Sequence, residues 1–292
     1  MNDELRTALR ELVLAAGPNW STAIENCLAN SKTEILAIRP GDQDKIRTGA
    51  ALGGRPLMAP AFDWPGDRAG QRMQFLLQVD LKNIVPPQQY GLVMPQGGRL
   101  TVFRSAQILT MPDKDRRAFQ LTFEQAAPDN IFTDHIFADP PSDSPGPPLL
   151  PALNFSTEAV WSLDIERLNV ETLGYALPQN FSTALLHWAQ KYNLYTCADG
   201  YFFGGGRHVE EEKEICAFAA GGISWDATRA RDSHYSHLTA LKDNWILLAR
   251  IKEESIFKSD TRGEKKISYS DILIQKEDLA QGLFERAWLL SR

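Results

Sequence analysis

Cysteine is scarce in this chain. There are three in 292 residues, Cys27, Cys197 and Cys216, with no Cys-x-x-Cys among them. An odd, widely spaced set is not a disulfide framework, and it reads as the reduced thiols of a cytoplasmic protein. Positive charge is not in excess either: 31 Lys and Arg stand against 37 Asp and Glu, a formal net charge of −6. That balance argues against a phosphate-backbone binder, so no nucleic-acid partner is expected. No apolar run approaches the roughly 18 residues of a membrane span. The charged opening Met-Asn-Asp-Glu-Leu-Arg is unlike a signal peptide, so no membrane association is expected.

Most catalytic signatures are missing too. There is no Gly-x-x-x-x-Gly-Lys-Ser/Thr, no His-Glu-x-x-His and no Gly-x-Gly-x-x-Gly opening a helix. Gly222-Ile223-Ser224-Trp225-Asp226 starts like a nucleophile elbow but lacks its closing glycine. No cofactor is expected. Two weaker constellations remain. His208 with Glu210, or the Cys216 thiol, offers an acid–base or nucleophilic pair for a hydrolase. Against this, the run Glu210-Glu211-Glu212 reads as a solvated turn, and the apolar neighbours of Cys216 read as those of a buried, inert thiol. His234 and His237 stand three apart, a metal-ligand spacing, with Asp232 as a third candidate, but the stretch reads as a polar loop.

What is present is a sufficient core. Residues AVILMFWYC make up 43% of the chain, and the length suits one large domain or two small ones. Residues 3–16 and 21–30 predict two helices, so residues 1–32 form a helical segment packed on the body. Alternation predicts strands at 33–39, 75–81 and 99–104, and more weakly near 119–123 and 131–137. In the second of these, Phe75, Leu77, Val79 and Leu81 should share one face, and Leu76, Gln78 and Asp80 the other. Residues 138–151 hold six prolines in fourteen positions and predict a loop. A helix at 181–192 follows, then strands near 215–219, 245–251 and 271–275 and a short one ending in Trp288-Leu289-Leu290. Trp64, fixed before Pro65, offers a rigid flat surface that would wall a ligand pocket, anchor a partner or plug the end of the sheet.

Leu52-Gly53-Gly54-Arg55-Pro56, then Pro60, then Trp64-Pro65, then Phe75-Leu76-Leu77-Gln78-Val79-Asp80-Leu81 resemble the signature of the YwqG-like family, a bacterial domain of unknown function. Trp245-Ile246-Leu247-Leu248 and the closing segment from Ile274 to Leu290 are similar to its C-terminal part, but Arg250 and Lys252 stand where the family has Gln and Asp. The resemblance covers residues 33–292. It implies an α+β fold, predominantly antiparallel β, with peripheral helices. The two halves also resemble each other. Leu52-Gly53-Gly54-Arg55 parallels Phe203-Gly204-Gly205-Gly206-Arg207, and Phe75 to Asp80 aligns with Leu247 to Lys252. This predicts two β-rich halves on either side of the 138–151 loop, with an ion pair between Asp80 and Lys252. The functional expectation is non-catalytic binding of a protein or small ligand. Its site would be a groove formed by Gly53, Gly54, Arg55, Pro56, Trp64, Gln78 and Asp80. The alternatives are the hydrolase and an immunity-type protein that caps a bacterial toxin.

Overall fold

The computed structural model describes residues 32–40, 50–105, 119–125, 135–142, 146–147, 149–163, 200–203, 207–252 and 269–291, together with residues 7, 10, 11, 183, 184 and 187. The expected helices at 3–16, 21–30 and 181–192 lie almost wholly outside the described residues, as do Cys27, Cys197 and Gly204 to Gly206.

The strands are β1 (Lys32–Pro40), β2 (Ala50–Leu52), β3 (Leu57–Met58), β4 (Gln74–Asp80), β5 (Arg99–Arg104), β6 (Phe119–Glu124), β7 (Ile136–Phe137), β8 (Leu153–Leu163), β9 (Gly200–Phe202), β10 (Trp245–Lys252), β11 (Tyr269–Gln275) and β12 (Trp288–Ser291). The helices are α1 (Arg207–Ala220), α2 (Ala227–Arg231), α3 (Ser236–Ala240) and α4 (Lys276–Gln281). Ten strands form one sheet in the order β12-β11-β10-β9-β1-β8-β2-β4-β5-β6, and β3 pairs with β7 in a small second sheet. Every pairing among the described strands is antiparallel. The fold is therefore α+β and predominantly antiparallel β.

The strand order runs outward in the same way from the central β1–β8 pair on both sides. β4 and β10 are each third from their edge. Leu52 pairs with Leu77 and Ala51 with Gln78, while Phe202 pairs with Ala249 and Tyr201 with Arg250. The ladder to the next strand slips between Phe75 and Leu77 in one half and between Leu247 and Ala249 in the other. Each short strand then leaves the sheet through a left-handed residue, Gly53 at φ 60° and Phe203 at φ 54°. The N–H of Gly53 donates to the Leu76 carbonyl, and that of Phe203 to the Leu248 carbonyl.

These slips are β-bulges, and they correct the face assignment made from alternation. One extra residue at Leu76 puts two neighbouring side chains on the same side. Leu76, Leu77 and Val79 join the central core, while Phe75 packs outside with Met73 and Phe103. Gln78 and Asp80 share this outer face with Phe75. In β10, Leu248, Ala249 and Ile251 point inward, and Leu247 packs outside. The central core joins Leu52, Leu100 and Val102 of one half to Ile246, Ile272 and Phe284 of the other. The inner faces of both halves thus bury their apolar surface against a common interior.

The outer faces are covered differently. The Leu57–Met58 strand and the Phe62–Trp64 loop lie over β4 and β5. Helix α1 lies over β10 and β11, where a strand near 215–219 is expected from the sequence. An apolar run as short as Ile215 to Ala219 does not distinguish strand from buried helix. The preceding Glu-Glu-Glu-Lys-Glu consists of good helix formers, and Glu210 and Lys213 pair across one turn at 2.8 Å. Val209, Ile215, Cys216 and Ala217 supply the apolar side. The helix stops in a Schellman motif. Gly222 adopts φ 79°, its N–H bonds the Ala219 carbonyl, and the Ile223 N–H bonds the Phe218 carbonyl.

Candidate functional site

The residues expected to line a groove lie close together, but the chain uses most of them internally. Gln78 accepts from the Leu57 N–H at 3.0 Å and donates to the Leu57 carbonyl at 3.1 Å and to Thr101 Oγ1 at 2.9 Å. Its amide pins β3 to the sheet as another strand would. Asp80 does not meet Lys252. Its partner is Arg99, directly opposite on β5, with Nε donating to Oδ1 at 2.7 Å in a nearly buried pair. The Gly53-Gly54 turn is packed against Leu150 to Ala152, where a β-carbon on either glycine would strike backbone or Ala152. Pro56 is buried, and its carbonyl accepts from Ala138. Arg55 is exposed and reaches Asp139 of the proline-rich loop at 3.0 Å. Trp64 is half-buried. Its indole donates to the Met73 carbonyl at 2.8 Å and stands edge-on to Phe103 at 5.2 Å.

The matching outer face of the second half holds a charged cluster. Arg250 occupies the ladder position corresponding to Gln78. Its guanidinium donates twice to Asp271, at 2.6 and 2.7 Å, and to both oxygens of Glu212 at 3.1 Å. Another N–H reaches Tyr201 Oη at 3.2 Å. Burial pulls Arg250 down, but Asp271, Tyr201 and Glu212 together outweigh it and hold the guanidinium charged. Burial pushes the Tyr201 hydroxyl up to about 12. Glu212 is wholly buried. The expected solvated turn is thus a helix face, and Glu212 fastens α1 to the sheet much as Leu57 fastens β3.

One open cleft, of about 550 Å³, lies at the ends of β10, β11 and β12, between the last residue of α1 and helix α4. Trp245 and Trp288 pack edge to face at 5.3 Å and 66°, with Trp245 nearly buried and Trp288 the more open indole. Gln275, Glu277, Asp278, Gln281 and Arg286 complete the lining. Arg286 donates to Asp278 at 2.9 Å. Among the described residues Gln275, Glu277 and Gln281 make no side-chain hydrogen bond. Sequence reasoning did not nominate this cleft. Its lining is dispersed from Ala220 to Trp288, and the only local signal is the pair of tryptophans that open β10 and β12.

The family model of the domain of unknown function DUF1963 matches residues 50–291. The chain belongs to the DUF1963 family. No curated protein matches it. The DUF1963 match takes in both outer faces and the whole cleft, and starts after β1, the strand that joins β8 to β9 at the centre of the sheet.

The remaining candidates in this DUF1963 chain fall on α1 to α3. His208 lies in the first turn of α1, and its side chain is outside the described residues. Cys216 is eight residues further along, roughly 12 Å of helical rise. The thiol is buried, and desolvation, followed by the nearby Glu212 and Asp271 carboxylates, pushes its pKa well up. Such a thiol is a poor nucleophile. Glu210 is paired with Lys213 and Lys242. These lysines keep its carboxyl below the usual range even though burial acts the other way. His234 and His237 are exposed, and the carboxylate of Asp232 caps the His234 N–H at 2.9 Å. The expected polar loop around them is a helical turn followed by α3. Among the described residues no three His, Cys, Asp or Glu side chains converge as a metal site. Nor is any described helix long and apolar enough to cross a membrane.

Proposed function

We propose that this DUF1963 chain is a non-catalytic binding protein whose ligand seat is the Trp245–Trp288 cleft. The observation that carries the reading is a contrast in how polar groups are used. At the Gly-Gly-Arg-Pro corner, Gln78 and Asp80 spend their hydrogen bonds on Leu57, Thr101 and Arg99. In the cleft, Gln275, Glu277 and Gln281 present theirs beside the half-exposed indole of Trp288. A concave site of this size, within the roughly 300–1,000 Å³ of small-ligand pockets, with one open indole and a few polar groups, suits a small molecule. Adjacent carboxylates on one short helix, one already held by Arg286, are not an acid–base pair flanking a bond. This favours binding over hydrolysis.

A thermal-shift screen of a chemically diverse metabolite set tests the reading. At least one compound should stabilise the native protein and not the Trp288→Ala variant. If every compound leaves both proteins unchanged, the cleft is not a ligand seat.

We also infer that the two halves are related modules and that the chain is of the YwqG-like type within its family. The equivalent bulges, left-handed exits and fastening residues Gln78 and Arg250 support the first inference. The order of elements from Leu52 to Leu81 supports the second.

A further inference from the structure

We propose that the ligand class of the Trp245–Trp288 cleft is a neutral saccharide, seated by one pyranose ring on the half-exposed indole of Trp288. This rests on the binding reading above and deepens it.

The cleft carries both signs of hydrogen-bonding capacity. Glu277 offers only acceptors. Arg286 offers only donors, and one N–H is already given to Asp278. Gln275 and Gln281 each offer both. An inorganic or organic anion would meet Glu277 and Asp278. A simple cation would meet Arg286 and find its amide donors useless. A neutral ligand rich in hydroxyls, each both donor and acceptor, matches the set.

The backbone sets where these groups start. Glu277 and Gln281 are one turn apart on α4, so they share a face. Gln275 lies opposite Trp245 in the β10–β11 ladder and begins the step into α4. Arg286 is held by Asp278, and the N–H of Leu283 bonds the Asp278 carbonyl, which closes the end of the same helix. The polar groups therefore come from a strand end, one helix face and one turn tied to that helix.

The aromatic geometry selects the shape. Trp288 is half-exposed and Trp245 is nearly buried. Both belong to the outer-face core, and they stand on either side of β11. The two indoles pack edge to face on one another, so Trp288 alone offers an open ring and there is no slot between two rings. A nucleobase clamped on both faces needs such a slot. A chair-shaped sugar needs only one ring, against which it lays an apolar face of C–H bonds. Its equatorial hydroxyls then point outward to the planar amide, carboxylate and guanidinium groups. The volume of about 550 Å³ accommodates more than one ring.

The test uses the full chain in two steps. A glycan array bearing α- and β-linked hexoses and N-acetylhexosamines identifies binders. Titration calorimetry then measures the corresponding free tetrasaccharides, with adenosine, choline and a Lys-rich peptide as contrasting probes. At least one neutral glycan should bind. Gln281→Ala, at an exposed helix position, should weaken it by about tenfold, as loss of one or two hydrogen bonds implies. Trp288→Ala should abolish it, and Trp64→Phe should leave it unchanged. If adenosine, choline or the peptide binds through Trp288 while every glycan is silent, the saccharide assignment is overturned and the binding reading stands. If all of these probes and the metabolite screen are silent, both fail.

Discussion

Single side chains fasten the outer layers to this sheet, and their removal should be felt individually. Gln78→Ala strips the partner from the part-buried Leu57 N–H and from Thr101, and leaves the Leu57 carbonyl only a long bond from Arg99 at 3.4 Å. Each unsatisfied group is expensive, so a loss of about 3 kcal/mol is expected in a urea titration. Arg250→Met leaves Glu212 and Asp271 as buried carboxylates without their cation. The expected loss is about 3–5 kcal/mol, much of it regained when Glu212→Gln and Asp271→Asn are added. Tyr201 gives a pH signature. Its hydroxyl titrates near 10 when unfolded and is raised to about 12 by burial in the fold. Its contribution is complete below pH 10 and disappears as pH rises through 12. The urea midpoint of the native protein should therefore fall over that window, and Tyr201→Phe should flatten the fall. Little of this was legible in the sequence. Gln78 and Arg250 align by position, but their partners Leu57 and Glu212 are set by how each covering segment returns over the sheet.

The sequence was informative about strands wherever the apolar pattern was long. β1, β4, β5, β10, β11 and β12 all fall within a few residues of the expected spans. It misled at the bulges. Alternation alone puts Phe75 with Leu77, whereas the extra residue at Leu76 moves Phe75 to the outer face with Gln78. It also misled at α1, where five apolar residues look alike in a strand and in a buried helix. The left-handed exits are the most demanding backbone positions. Gly53→Ala would place a methyl against the Pro151 carbonyl in a conformation that disfavours a side chain. Denaturation should show a loss of about 2 kcal/mol or more. Phe203 tolerates the same conformation because its wholly buried ring is held in the central core.

Across the whole molecule, the two halves do not have separate interiors. Leu77 and Val102 belong to the same core as Ile251 and Ile272. Heat or urea should therefore unfold the body in one step. Emission from Trp64 in one half and from Trp245 and Trp288 in the other should change together with the far-ultraviolet dichroism. Two separated transitions would show that the halves are independent. The cleft belongs to this scale as well, because no single segment builds it. α1, three strand ends and α4 must come together first. That is why the sequence pointed to the corner around Trp64, whose motif is local, and not to the cleft proposed around Trp288. Calorimetric titration of a neutral tetrasaccharide into Trp288→Ala and Trp64→Phe separates the two locations most directly. The proposed seat predicts that binding is lost in the first variant and kept in the second. Loss in Trp64→Phe with retention in Trp288→Ala would contradict it and return the site to the Gly-Gly-Arg-Pro corner.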